Sequence, residues 1–194
     1  MHVTVRVVRD VGRLRRMKVA PVLRQAFVGG AMKEGFGICQ FSIQGNHIHL
    51  VCEAATAERL SKGIQGWSIR VARLNRRLGR SGKVFADRYH SVLLRTPRQV
   101  RHALCYVMQN ARRHGEELDR RWGGIDPFSS AWYFDGWADD SWRKIVVPAV
   151  GPPPVTAAGT WLLRSGWRRH RLIGVGERPA AGRFLARGRL STES

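Results

Sequence analysis

The connection Gln44-Gly45-Asn46 constrains this chain more than any other feature. It joins two β-runs, Gly35 to Ile43 (GFGICQFSI) and His47 to Glu53 (HIHLVCE), and a short Gly-containing link between such runs makes an antiparallel hairpin. The flanking sequence supplies partners and covers for that hairpin. His2 to Val8 alternates, with Val3, Val5 and Val7 on one face, and reads as a first strand. Val19, Val22, Leu23, Ala26, Phe27 and Ala31 fall at helical spacing, which predicts an amphipathic helix running to about Lys33. Thr56 is placed to cap a second helix, whose stripe Leu60, Ile64, Trp67, Val71, Leu74 and Leu78 is core. Gly79 to Lys83 breaks that helix, and VFADRYHSVLLR reads as a fourth extended segment. Thr96-Pro97 opens a last helix, with Pro at its first position and Val100, Ala103, Leu104, Val107 and Met108 on its buried face. Two β-α-β halves in this order predict an α+β fold: a ferredoxin-like antiparallel sheet with helices packed on it, plus a C-terminal extension.

The 194 residues suit one core with an extension. Residues 1–115 form the proposed core. Residues 116–148, aromatic and turn-rich, are expected to pack on it, and 149–194 read as a Pro/Gly linker and a basic tail. Within that tail, TWLLRSGWRRHRLIG has the pattern of a short helix and the last dozen residues look disordered. Three cysteines, Cys39, Cys52 and Cys105, sit in apolar contexts without paired spacing, as small core residues in a reducing compartment do. The opening MHVTVRVV lacks the pattern of a leader, and nowhere do about 18 apolar residues run together. The expectation is a soluble, cytoplasmic protein with no membrane partner.

His47 and His49 are the first candidates for chemistry. Alternate side chains of a strand share a face, so both imidazoles point one way while Ile48 and Leu50 point the other, toward the helices. The histidines are then expected on the exposed face of the sheet, spaced either to share one cation or to stand as two hydrogen-bonded surface imidazoles. On the last helix His102, Tyr106, Gln109, Asn110 and Arg113 lie away from the core stripe. Tyr106 fits two roles: a rim residue with its ring on the sheet, or a nucleophile. A phenol attacks phosphorus usefully only where positive charge stabilises the phenolate, and a cation at the two histidines would supply it.

Taken in order, NHIHLV at the hairpin, GKVFADRYH and LCYVMQNARRHG resemble the single-tyrosine HUH transposases, and particularly their REP-associated tyrosine transposase branch. The resemblance runs from about His2 to Gly115. It implies a metal-dependent single-stranded DNA strand transferase in which His47 and His49 bind Mg²⁺ or Mn²⁺, Tyr106 becomes joined to a 5′ phosphate, and an amide one turn on completes the metal site. That amide is Asn110, with Gln109 as substitute. Many relatives follow the tyrosine with Asn-Pro, whereas Asn110 precedes Ala111, which leaves an active transposase and a domesticated descendant both open. The resemblance also leaves monomer and homodimer open.

Charge points the same way. The chain has 34 Lys and Arg against 14 Asp and Glu, a formal net charge of +20, and arginine's bidentate fork suits a phosphate backbone. Between Arg59 and Arg101 twelve basic residues face one acid, Asp87. Arg70, Arg73 and Arg77 recur at helical spacing, and with Arg80, Lys83, Arg88, Arg95 and Arg113 they are expected to flank the site and contact single-stranded or hairpin DNA. Three readings follow: a tyrosine nuclease and strand transferase, a nucleic-acid-binding regulator that keeps the fold without chemistry, and a zinc hydrolase. The last lacks a good third ligand or carboxylate base, since Glu53 falls at a strand end and Asp87 in a loop.

Overall fold

The computed structural model describes residues 1–30, 32–113, 123–140 and 152–179. Among these residues five strands form one antiparallel sheet: β1 (His2–Arg6), β2 (Met32–Lys33), β3 (Phe36–Ile43), β4 (His47–Ala54) and β5 (His90–Val92), in the order β2-β3-β4-β1-β5. The β3-β4 hairpin turns where the sequence places it, and the order β3-β4-β1-β5 is that of the ferredoxin-like sheet, extended at one edge by β2.

Each face of the sheet has its own cover. On one side α1 (Ala20–Gly30), α2 (Ala57–Val71) and α3 (Leu74–Leu78) bury Val3, Val5, Ile48 and Leu50 against Leu23, Phe27, Ile64 and Trp67. On the other, α4 (Pro97–Arg113) packs on β3 and β4, with Val51, Leu104, Met108, Phe134, Trp167 and Ile173 in one cluster. A β-bulge at Ile38/Gln40 sets which residues of β3 reach that second face. It places Cys39 and Gln40 together before the alternation resumes, so Phe41 and Ile43 join the α1–α2 core while Ser42 pairs with His49.

Local chemistry accounts for the helix ends. Thr56 caps α2, its hydroxyl accepting from the Arg59 N–H at 3.1 Å. Before α4 the Thr96 hydroxyl accepts from the Gln99 N–H while the Gln99 side chain accepts from the Arg95 and Thr96 N–H groups, a reciprocal box on a Pro97 start. Gly63 lets α2 lie directly on β3, since a Cβ there would sit 2.2 Å from the Phe36 ring.

Three expectations about elements need correction. The first helix ends at Gly30, not Lys33; after Gly29-Gly30 the chain enters β2 and turns at Gly35 (φ +69°) into β3. The stripe Leu60–Leu78 belongs to two helices, broken at Ala72-Arg73, so its phase is not continuous. Of VFADRYHSVLLR only His90–Val92 pairs as a strand, with Phe85 adding one bridge to Val7.

Residues 123–140 lie along the free end of β3, where Ser129 bridges Ser42, the Ser130 N–H donates to the Phe41 carbonyl and the Ser130 hydroxyl accepts from the Phe41 N–H. Asp126 anchors this segment through a two-pronged ion pair with Arg15, both contacts 2.9 Å, with side chains 0% and 7% exposed. Within residues 152–179, α5 (Trp161–Arg164) and a 3-10 turn (Gly166–His170) pack on α4, and Glu177 pairs with Arg101 at 2.8 Å. The expected disordered last dozen residues lie outside the described residues. Among the described residues no helix is long and apolar enough to cross a membrane.

Candidate functional site

The alternation of β1 and β4 brings their polar residues to one face. Register sets Arg6 opposite His47, Thr4 opposite His49 and His2 opposite Val51, and α4 passes over these rows. The face expected to be exposed is therefore covered: His49 is 4% exposed and His47 half-buried. The reason is that α4 carries its Val100–Met108 stripe onto this side of the sheet rather than joining α1 and α2.

Four aromatic rings meet beneath α4. His47 and His49 lie 4.6 Å apart between centroids and nearly perpendicular (84°). The Tyr106 ring stands edge-on to His49 at 5.1 Å and to His2 at 5.9 Å. His2 and His49 are 5.2 Å apart and close to parallel, at 23°. Each of the paired histidines is held at Nδ1: His47 donates to Asn46 Oδ1 at 2.9 Å, and His49 Nδ1 meets the Thr4 hydroxyl at 3.1 Å. A proton on Nδ1 leaves the lone pair on Nε2, the arrangement in which imidazole ligates a metal.

Asn110 lies one turn along α4 from Tyr106. It is 0% exposed, and neither its Oδ1 nor its Nδ2 has a hydrogen-bond partner among the described residues. A buried amide in that state costs about 1–3 kcal/mol unless something satisfies it. Gln109, its neighbour, is differently placed: its Nε2 donates to the carbonyls of Val175 (2.6 Å) and Gly174 (3.0 Å), and its Oε1 accepts from Arg112. Among the described residues no group of three His, Cys, Asp or Glu is placed to hold a metal ion, so a third protein ligand here would be an amide or hydroxyl oxygen.

No family model and no curated protein sequence matches the chain. A solved structure does match: the chain superposes on the REP-associated tyrosine transposase, solved bound to a REP hairpin, with a TM-score of 0.55 at 15% identity, over 82% of this chain and 92% of that one. The fold is that of a REP-associated tyrosine transposase.

Set in this transposase fold, the basic residues divide. Arg70 ends α2, Arg73 links it to α3 and Arg77 lies on α3, so this row lies across the sheet from the histidines rather than beside them. The break at Ala72-Arg73 also interrupts the helical phase that grouped them. Arg80 is tied to its own loop through Asn75 and the Lys83 carbonyl. Lys83, Arg88 and Arg95 are exposed on the connections before and after β5. The side chain of Arg113 lies outside the described residues.

His2 is the site residue that sequence reasoning missed. It is 1% exposed, neither ring nitrogen has a hydrogen-bond partner among the described residues, and burial pushes its pKa down to about 3, with the N-terminal ammonium and His90 acting in the same direction. The alternation of β1 already places His2 with Thr4 and Arg6; only the register with β4 shows that it stacks beside His49.

Proposed function

We propose that this chain is a metal-dependent single-stranded DNA endonuclease and strand transferase that acts on hairpin DNA through a 5′-phosphotyrosine intermediate. One observation carries the reading: Tyr106 packs on His49, which adjoins His47, while the unsatisfied Asn110 amide lies one turn away on the same helix. His47, His49 and Asn110 would hold Mg²⁺ or Mn²⁺. The donor set fits, because two imidazoles fixed at Nδ1 and a buried amide oxygen without a partner among the described residues together offer one nitrogen-and-oxygen site. When bound, such a cation withdraws charge from the scissile phosphate and stabilises the charge that develops there.

The remaining chemistry belongs to the chain's own residues. The edge-on contacts with His49 and His2 fix the Tyr106 ring, so its hydroxyl is presented without a further conformational search. Tyr106 Oη forms a bond to phosphorus and loses its proton; the P–O3′ bond breaks and the departing oxygen takes up a proton. Attack by a 3′ hydroxyl on the phosphotyrosine reverses these steps and restores a phosphodiester, so no nucleoside triphosphate is consumed.

Hairpin DNA as substrate is supported by the hairpin on which the matching structure was solved, and by the +20 charge. Tyr106, both histidines and Asn110 come from a single chain, so a monomer suffices. The test is a denaturing gel of labelled hairpin DNA with randomised single-stranded flanks, incubated with Mn²⁺. The reading expects a covalent adduct that Tyr106→Phe abolishes. Cleavage without an adduct, or an adduct surviving Tyr106→Phe, would overturn it.

A further inference from the structure

Beyond His47 the site continues into an open cavity of about 640 Å³ that includes Arg6, Arg9, Arg13, Asn46 and His47 in its lining. Two backbone hydrogen bonds fix its walls: the Val7 N–H donates to the Asn46 carbonyl at 2.9 Å and the Leu14 N–H to the Gly45 carbonyl at 2.8 Å. The 3-10 turn Arg9–Val11 and the β3-β4 turn are thereby held against each other. All three arginines are exposed, and among the described residues no Asp or Glu lines the cavity and Arg6 and Arg9 make neither side-chain hydrogen bond nor ion pair. The Arg6 and Arg9 guanidinium groups, uncompensated at a concave surface, are suited to phosphodiester oxygens.

We infer that this pocket holds the DNA strand upstream of the scissile phosphate, the strand that departs with the 3′ hydroxyl. The inference rests on the transferase reading and follows from direction. Along the sheet the rows run Arg6/His47, Thr4/His49, His2/Val51. Tyr106 packs over the His49 and His2 rows, so attack comes from that end. In-line displacement puts the leaving oxygen on the side of phosphorus opposite the attacking one. That side is the His47 row, and the arginine pocket lies beyond it. The same pocket then retains the departing 3′ end, or accepts another, and so governs which strand is joined.

The experiment starts from purified covalent adduct and measures strand joining against the concentration of a 3′-hydroxyl acceptor, a random-sequence octanucleotide, in wild type and in Arg6→Ala/Arg9→Ala. The variant is expected to need about tenfold more acceptor for half-maximal rate. Its dependence on salt should weaken by about 0.7 in log–log slope for each phosphate that an arginine no longer neutralises. If the double variant does not fold, Arg9→Gln on the exposed turn serves, with a smaller shift of the same sign. An unchanged half-saturating concentration and salt slope, with adduct forming normally, overturns the pocket assignment alone. Failure of wild type to form any adduct overturns the transferase reading, and this inference with it.

Discussion

Asn110→Leu separates stability from function at the position where the structure sets them against each other. Leucine has the same number of side-chain heavy atoms as asparagine, branched at the same carbon, and removes both amide atoms, which are buried and have no partners among the described residues. An unsatisfied buried amide costs about 1–3 kcal/mol, and its replacement by an apolar group of like shape recovers that cost. For a chain of this length each kcal/mol moves Tm by about 2–4 °C, so Asn110→Leu should melt about 2–12 °C higher than wild type without metal. Mn²⁺ should raise the wild-type Tm, because a ligand bound only by the folded state stabilises it, and should raise that of the variant far less. Adduct formation should be lost. Differential scanning calorimetry with EDTA and with Mn²⁺, beside the gel assay, measures all three. A variant that melts lower than wild type and still forms adduct would refute both the claim that this amide is unsatisfied and its assignment to the metal.

Other outcomes follow from the packing. Asp126→Ala strands the buried Arg15 guanidinium and should cost about 3–5 kcal/mol in urea unfolding, with Arg15→Met/Asp126→Leu recovering most of it; a cost below about 1 kcal/mol would show the pair to be dispensable. Burial, with Glu53 and Glu177 respectively beside them, pushes the Cys39 and Cys105 thiols up to about 12 from 9.0. Three pH units leave roughly a thousandfold less thiolate, so iodoacetamide at pH 8 should label neither until the protein unfolds. His2 has its folded pKa lowered to about 3 from 6.5. Its neutral burial therefore leaves stability intact above about 6.5, and stability falls as pH drops from there toward 3 and the unfolded chain alone takes up the proton. His2→Phe, which keeps a ring against Tyr106, should flatten urea-derived stability between pH 6 and 4 by up to about 1.4 kcal/mol per pH unit; an unchanged slope would mean that His2 titrates in the fold.

The hairpin and the facing of His47 and His49 were legible because both depend on period-2 alternation and a short turn, which are local properties. Tyr106 and Asn110 were legible as neighbours on α4 from helical phase alone. What escaped was long-range. The burial of Asn110 depends on how α4 packs, and the engagement of Gln109 depends on residues 174–175 folding back onto that helix. The bulge at Ile38/Gln40, which brings Ser42 into line with His49, leaves no mark in a run where almost every residue is apolar or small. Counting arginines gave the charge but not its side: the row Arg70, Arg73, Arg77 belongs to the helices behind the sheet, while Arg6 and Arg9, scattered in a strand and a turn, border the site.

The central claim is that the Tyr106 hydroxyl is the group that attacks phosphorus. Its most direct test is mass spectrometry of the covalent product after proteolysis and nuclease digestion. The account predicts a nucleotide-bearing peptide modified at Tyr106, formed only with Mg²⁺ or Mn²⁺. A modified Tyr89 or Tyr133, or the same adduct mass on Tyr106→Phe protein, would contradict it.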